Sequence, residues 1–236
     1  MKTVGVLGGM SSVASAEYYR LLNAGVNAAL GGHAAAEVIL YSVDFAVIER
    51  CISTDAWDEA AGHLVERARR LQDAGADFVL LATNTMHRVA PQIEAALDVP
   101  FVHLVDVVAE RAIADGVSTL GLLGTRPVME GDFYRERLAS HGIDVLLPDA
   151  SDRTLVDMTI FGELTRGVFS PATTAQYVRI MQDLAARGAG AMVLGCTEIG
   201  LLVGPDDLPG IALYDTTALH VERAVQLALD PHPVPS

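Results

Sequence analysis

The chain alternates short apolar runs, rich in β-branched residues, with longer stretches whose apolar positions recur at helical spacing. The apolar runs predict short strands, and the stretches between them predict amphipathic helices. Such alternation is typical of α/β proteins whose central sheets are mostly parallel. Strands are expected near residues 3–7, 37–42, 77–81, 101–105, 119–123, 144–147, 191–194 and 211–214, and helices at 15–30, 55–73, 129–141 and 173–187 among others.

The chain also resembles itself at a nearly constant separation. Residues 4–10 (VGVLGGM) resemble residues 120–126 (LGLLGTR), which lie 116 positions further on. Residues 80–85 (LLATNT) resemble residues 193–198 (VLGCTE), which lie 113 positions further on. An internal duplication explains both matches. Chance recurrence of apolar and glycine residues in an α/β protein is the alternative.

The duplication predicts two α/β domains that are pseudo-symmetric. In open α/β sheets, ligands bind beyond the carboxyl ends of the strands. We therefore expect one active site between the domains, with Thr83 and Cys196 on opposite walls. The expected limits are residues 1–97 with 210–229 for the N-terminal domain, 98–209 for the second domain, and 230–236 for a disordered tail.

Composition and charge narrow the class of protein. The chain has 236 residues, of which 51% are hydrophobic, but the apolar residues form short runs. None approaches the roughly 18 residues of a membrane span. The N-terminus enters a strand pattern at once, so we expect no signal peptide and a cytoplasmic location. The net charge of −14 argues against nucleic acid or an anionic membrane as a partner, and leaves a small anionic substrate open.

The single lysine and the two cysteines limit which catalytic chemistry the chain can support. Lys2 is the only lysine and stands at the start of the first strand, where it is poorly placed for the Schiff base of a pyridoxal phosphate enzyme. We therefore expect amino-acid chemistry without a cofactor. Two cysteines do not form a disulfide framework, and Cys51 is assigned to packing. His87 has no second histidine four residues away, so no metal site is expected.

Polar loops follow three of the predicted strands. The first, Gly8-Gly9-Met10-Ser11, lacks both a dinucleotide fingerprint and the lysine of a phosphate loop. Its amides can hold a carboxylate at the start of the next helix, or the loop is a simple tight turn. The second, Thr83-Asn84-Thr85-Met86-His87, ends a strongly apolar strand. Its polar side chains are costly there unless they cap a helix or bind a ligand. His87 is either a general base or, more commonly, a helix-surface histidine.

The third loop, Gly195-Cys196-Thr197-Glu198, carries the best candidate nucleophile. A helix start stabilises a thiolate and can lower the pKa of Cys196 from about 8.5 into the neutral range. The preceding glycine lets a substrate approach closely. A small apolar residue that closes a strand is the alternative interpretation.

Together these loops resemble the aspartate/glutamate racemase superfamily, which also contains hydantoin racemases, maleate isomerases and arylmalonate decarboxylases. The resemblance implies two pseudo-symmetric α/β domains, often a homodimer, and two cysteines that act without a cofactor on opposite faces of an amino-acid Cα. It is carried by LGGMS at 7–11, TNTMH at 83–87, LLGT at 122–125, IFGEL at 160–164 and LGCTEI at 194–199.

The resemblance assigns the catalytic positions to Thr83 and Cys196, of which the first departs from the family pattern. A hydroxyl ionises near water's ~15.7, about seven units above a thiol, which costs roughly 10 kcal/mol. Thr83 is therefore a poor base that donates a hydrogen bond or passes a proton through water. We expect Cys196 to deprotonate an L-amino acid and reprotonation from the Thr83 side to give the D form. The candidate substrate-binding residues are Met10, Ser11, Asn84, Thr85, Thr125, Thr197, Glu198 and Arg50.

Two other functions remain open. Cys196 as the single catalytic cysteine suits a decarboxylase of the arylmalonate type. The other alternative is a sensor, which would bind an amino acid without turnover. The substrate is open as well. Arg50 or Arg126 can pair a second carboxylate bidentately, which favours aspartate or glutamate. If both are surface residues, a neutral amino acid such as homoserine is equally possible.

Overall fold

All strands pair in parallel in the computed structural model, which describes residues 1–232. The α/β class with parallel central sheets is confirmed. Each of the two sheets has four strands. The first contains β1 Val4–Gly8, β2 Val38–Ser42, β3 Phe78–Leu81 and β4 Phe101–Val102 in the order β2-β1-β3-β4. The second contains β5 Thr119–Gly124, β6 Asp144–Leu146, β7 Ala191–Gly195 and β8 Ala212–Asp215 in the order β6-β5-β7-β8.

The second sheet thus repeats the strand order of the first, which supports the internal duplication. The helices of the first half are α1 Ser12–Leu30, α2 Phe45–Ser53, α3 Trp57–Asp73, α4 Ala90–Glu94 and α5 Leu104–Ala114. Those of the second are α6 Arg126–Glu130, α7 Asp132–Ser140, α8 Ala150–Gly162, α9 Pro171–Ala186, α10 Ile199–Leu202 and α11 Thr216–Leu229.

Apolar spacing explains the long helices. In α1 the residues Ala14, Tyr18, Leu22 and Val26 recur every four positions and are all buried. This spacing places them on one face, and the residues on the opposite face are exposed. The inner strands β1, β3 and β7 are buried at every position, as expected for strands covered on both faces.

Two expected elements are wrong in extent. The strand expected at 101–105 ends at Val102, and α5 begins at Leu104. A continuous apolar run fits a strand or a buried helix, so periodicity does not separate them. The helix expected at 129–141 is two helices, because Gly131 is extended with ψ of 140°. A Cβ on Gly131 would lie 2.4 Å from the Pro127 carbonyl oxygen.

The chain divides into two compact units, Met1–Leu104 with the chain from Thr217 onward, and Val105–Thr216. The chain passes between the units after Leu104 and after Thr216, in each case seven residues later than expected from sequence. The reason is that β4 pairs with β3 and β8 pairs with β7. Most of the tail expected to be disordered, residues 233–236, lies outside the described residues. Within the described range, no helix is long and apolar enough to cross a membrane.

Replacing Gly25 by Ala should destabilise the first unit. A Cβ on this α1 residue would lie 2.8 Å from Cγ2 of Val225 in α11, and a β-branched side chain in a helix has little rotamer freedom to move away. Overpacking of this kind costs about 1–3 kcal/mol. Urea unfolding measures it.

Gly62→Ala is the matched control. Gly62 lies inside α3 with nothing within 4 Å of an added Cβ, so alanine should raise the free energy of unfolding by about 0.5–1 kcal/mol. Equal stabilisation of both variants would contradict the packing of α1 on α11.

Candidate active site

The loop after β1 begins with glycines that the backbone requires. Gly9 has a φ of +96°, a left-handed conformation that favours glycine. A Cβ there would lie 2.3 Å from the carbonyl oxygen of Val43. The Gly9 amide donates to Oγ of buried Ser15 at 2.7 Å, and that hydroxyl donates to the carbonyl of Ser11 at 2.8 Å. Ser11 Oγ accepts from Ala14 and caps α1. The loop that was predicted to hold a carboxylate is therefore held in one conformation by the hydrogen bonds of Ser15 and Ser11.

The loop after β3 leaves the same edge of the sheet, because β1 and β3 are paired neighbours. Asn84 is buried, whereas Thr83 and Thr85 are half-buried. Asn84 stands at the N-cap of the 3-10 helix Thr85–Val89, and its own side chain makes no capping hydrogen bond. The three polar residues thus stand where the apolar strand ends and this short helix begins.

His87 fits neither of the two roles considered from the sequence, a general base or a helix-surface histidine. It is 1% exposed, so the surface interpretation is wrong. Nδ1 lies 2.7 Å from the carbonyl oxygen of Thr83, and Nε2 lies 3.1 Å from the amide nitrogen of Leu104. With both ring nitrogens bonded to the main chain, His87 is also poorly suited to be a general base.

Two more buried histidines pack beside His87, and the sequence analysis missed both. The rings of His103 and His220 have centroids 4.7 and 6.1 Å from that of His87. Nε2 of His220 lies 2.8 Å from the Val102 carbonyl, and Nδ1 lies 3.0 Å from the hydroxyl of Tyr18. The carbonyl only accepts, so Nε2 carries the proton and the tyrosine donates to Nδ1. Burial lowers the pKa of His220 to about 4.

In the second unit, the ends of β5 and β7 meet at two paired glycines. Gly124 lies opposite Gly195, and a Cβ on Gly195 would lie 2.8 Å from the carbonyl oxygen of Leu123. The two backbones therefore touch, and the next residues, Thr125 and Cys196, leave the same edge of the sheet. Thr125 is 9% exposed at the N-cap of α6.

Cys196 is partly buried and bonded to a carboxylate. Its thiol donates to Oε2 of Glu198 at 3.0 Å, and the hydroxyl of Thr197 donates to the same oxygen at 2.6 Å. The three consecutive residues predicted as one site are therefore joined at a single carboxylate oxygen. An S–H donor facing a carboxylate is an arrangement through which a proton can move.

The expected direction of the pKa shift at Cys196 is wrong. Burial raises the pKa of the thiol well above its ordinary value, and the charge and hydrogen bond of Glu198 raise it further. The helix that was expected to stabilise a thiolate is only the short α10, which begins three residues later at Ile199. Cys196 at rest is consequently a thiol, that is, a proton donor.

The two arginines considered for a second carboxylate have different surroundings. Arg50 lies in α2, with 62% of its side chain exposed, and its guanidinium lies 3.6 Å from Glu59. Arg126 is exposed at the start of α6, and its amide donates to Asp157 at 2.7 Å. Among residues 1–232 its guanidinium has no ion-pair or hydrogen-bond partner. This contrast favours Arg126 over Arg50 as a free cation.

Sequence reasoning also missed acidic residues of the second unit. Besides Asp157 on α8, Glu163 accepts from the hydroxyl of Thr173 at 2.5 Å. Burial raises the pKa of Tyr177, the hydrogen bond with Thr159 opposes this, and the negative charges of Glu163 and Asp157 add to the rise. Glu163 lies within the IFGEL motif at 160–164, which was the available signal. In the part of the chain that the structure describes, no group of three or more His, Cys, Asp or Glu could hold a metal ion.

Comparison with known proteins identifies the family of this chain. The family model described as Asp/Glu/Hydantoin racemase matches residues 7–224, which include every candidate residue above. The chain belongs to the Asp/Glu/hydantoin racemase family. The resemblance seen in the sequence is thereby confirmed, and the family is one of isomerases.

Two solved structures resemble this racemase-family chain along nearly its whole length. A candidate Asp/Glu racemase from Yersinia pestis is 43% identical, with a TM-score of 0.93 and coverage of 98% of this chain and 100% of that one. An aspartate racemase homologue from Pyrococcus horikoshii is 28% identical, with a TM-score of 0.86 and the same coverage. The broad specificity amino-acid racemase of Bacillus subtilis is 30% identical over 92 residues, 39% of this chain, and the chain spans only 40% of that protein's length.

The buried His220 should make this racemase-family protein sensitive to acid. Its folded pKa of about 4 lies below the unfolded value of about 6.5. Between these values the unfolded chain binds the extra proton, so stability falls as pH falls from about 6.5 towards 4. By about pH 5 this loss should reach roughly 2 kcal/mol. Urea unfolding of wild type and His220→Gln should therefore show a gap that narrows between pH 7.5 and pH 5.

The control is His33→Gln, a change at an exposed histidine. The difference in unfolding free energy between this variant and wild type should be the same at pH 7.5 and pH 5. If the His220 variant does not fold, the ring can be titrated by NMR in the wild type. A ring that protonates near pH 6.5 would contradict the prediction.

Proposed function

We propose that this protein is a cofactor-independent racemase of a small amino acid, of the aspartate/glutamate class or homoserine. Cys196 exchanges the Cα proton of the L-enantiomer, and the Thr83 side supplies the proton that gives the D form. The observation that carries the proposal is the hydrogen bond of 3.0 Å from the Cys196 thiol to Glu198. It provides a proton donor and a proton acceptor at the end of β7.

The proposed step from L to D begins with the thiol proton. It passes from sulfur to Glu198, which leaves a thiolate. The thiolate then removes the Cα proton, so an S–H bond forms, the C–H bond breaks, and the electron pair enters the substrate carboxylate as an enediolate. A proton from water, relayed through Thr83, adds to the other face and completes inversion, and Glu198 returns its proton to water. In the reverse direction Cys196 must donate, and the resting thiol has its proton in place for that.

Thr83 makes the two halves of this chemistry unequal. Two residues after Cys196 stands Glu198, but two residues after Thr83 stands Thr85, which cannot accept a proton at neutral pH. The Thr83 hydroxyl therefore relays a proton from water rather than acting as a base. Exchange at Cys196 should consequently be faster than inversion.

The substrate class is argued from one similar protein and from the surroundings of two arginines. The Yersinia pestis protein named as a candidate Asp/Glu racemase is 43% identical over nearly the whole chain, which favours a dicarboxylic amino acid. The free guanidinium of Arg126 agrees with a second carboxylate, whereas Arg50 is already near Glu59. A homodimer belongs to the proposal on the family resemblance alone, and a cytoplasmic location stays an expectation from the sequence.

A decarboxylase is the second candidate, because its mechanism needs one protonated thiol. The pKa of the Cys196 thiol is raised by burial and by Glu198, which keeps this thiol protonated. Such an enzyme protonates the enediolate that remains after carbon dioxide leaves. Release of carbon dioxide from a substituted malonate, without exchange of any amino acid, would decide for it.

Proton NMR in deuterium oxide tests the racemase directly. L- and D-glutamate, aspartate and homoserine are offered separately, and chiral chromatography identifies the products. The wild type should exchange the α-proton and invert at least one substrate. Cys196→Ser should lose exchange by at least about 100-fold. Thr83→Ala should keep exchange of the L-enantiomer and lose inversion.

Cys51→Ala is the control, since Cys51 is a buried packing residue, and its rates should stay near wild type. Exchange that survives in Cys196→Ser would sink the mechanism. Tight binding with no exchange from any substrate would instead identify an amino-acid sensor.

Glu198→Gln should separate the acidity of the thiol from its reactivity. The change removes the carboxylate whose charge and hydrogen bond raise the pKa of Cys196, so alkylation by iodoacetamide should begin at lower pH. Exchange of the substrate proton should nevertheless fall roughly 100-fold, because the proton acceptor is lost. Mass spectrometry distinguishes Cys196 from Cys51 in the alkylation assay.

Glu130→Gln removes a carboxylate that pairs with Arg153 instead, and should change neither property. Unaltered exchange in the Glu198 variant would show that Glu198 does not accept the thiol proton.

A further inference from the structure

The backbone of Thr83 is held by a histidine ring with a defined tautomer. His87 Nε2 lies 3.1 Å from the amide of Leu104, and an amide only donates, so Nε2 accepts. A neutral imidazole has one proton, which must then be on Nδ1. This nitrogen donates to the carbonyl oxygen of Thr83 at 2.7 Å. The ring is a bridge between two main-chain groups that lie 21 residues apart.

The far end of this bridge is where the chain leaves the first unit. Leu104 is the last residue of that unit and the first of α5. His103, which precedes it, packs against the His87 ring. The chain returns at Thr217, near the start of α11. His220 in that helix is bonded to Val102, and its ring also packs against that of His87.

We propose that His87 is a positioning residue, which fixes the Thr83 carbonyl, and with it the Thr83 hydroxyl, relative to the segment that leaves the first unit. This inference rests on the proposed function, because it assigns the ring to the half-reaction at Thr83. A relay through water needs its hydroxyl at a fixed place, since small displacements of a relaying group cost large factors in rate. The bond from His87 is to the Thr83 loop, whereas Cys196 belongs to the second unit, so exchange at the thiol should be affected less than inversion.

Two isosteric variants separate the two bonds of the ring. In His87→Asn the side-chain amide occupies the position of Nδ1 and can still donate to Thr83. In His87→Gln it reaches the position of Nε2, where it accepts from Leu104 but leaves Thr83. Tyr18→Phe is the matched control, because it removes a buried hydrogen bond to His220 in the same group of rings without touching Thr83.

The readout is the ratio of inversion to α-proton exchange for an L-substrate in deuterium oxide. His87→Gln should lose inversion by about tenfold or more and keep exchange within about threefold, so the ratio falls. His87→Asn keeps the bond to Thr83 but loses the one to Leu104, so it should lose inversion less than His87→Gln does and keep exchange within about threefold. Tyr18→Phe should lower stability and leave the ratio unchanged. Equal loss of exchange and inversion in His87→Gln would overturn the proposal, because a purely structural role predicts that result.

A second measurement does not depend on activity. Long-range proton–nitrogen NMR correlation reports which nitrogen of His87 carries the proton, and the wild type should show the Nδ1–H form. The Nε2–H form would overturn the proposal. If no amino acid exchanges its α-proton in the wild type, the racemase proposal fails, while the tautomer still decides whether the ring holds Thr83 as described.

Discussion

The contact between paired glycines at the end of β5 and β7 is the constraint on which the second unit depends. Gly124 and Gly195 are opposite each other, and neither position has room for a side chain against the neighbouring backbone. The strands can therefore stay parallel and adjacent up to their last residues. The loops after the two strands then begin at one edge of the sheet, which is how Thr125 and Cys196 become neighbours although 71 positions separate them.

The first unit reaches the same result with different contacts. Its loop after β1 is fixed by Ser15, which accepts from Gly9 and donates to Ser11, and its loop after β3 is fixed by His87. The duplicated strand order thus presents equivalent loops on two independent scaffolds. The side chains on those loops have diverged. One scaffold carries a thiol with a carboxylate two residues later, and the other a hydroxyl with a second hydroxyl.

Much of this could be predicted from sequence, because strands buried on both faces and helices buried on one leave a clear pattern. The same pattern failed at 101–105, where a buried helix start and a strand are both continuously apolar. The properties of the site residues were harder to predict from sequence. A cysteine before a helix suggests a lowered pKa, but the helix after Cys196 is short, and the charge of Glu198 opposes ionisation of the thiol. His87 was misread for a related reason, since its bonding partners Thr83 and Leu104 are main-chain groups that no residue pattern reveals.

The inequality of Thr83 and Cys196 does not allow a racemase to run in one direction. Enantiomers are equally stable in water, so the equilibrium constant is one and kcat/KM must be the same for the L and D substrates. A weak proton relay at Thr83, as proposed, would therefore slow both directions of inversion through the same transition state. It can shift kcat and KM together for one enantiomer, and such a shift looks like one-way behaviour in an assay at fixed substrate concentration. In the proposed mechanism, a threonine at position 83 consequently changes how fast protons return on one face, while the equilibrium ratio of the two enantiomers stays fixed.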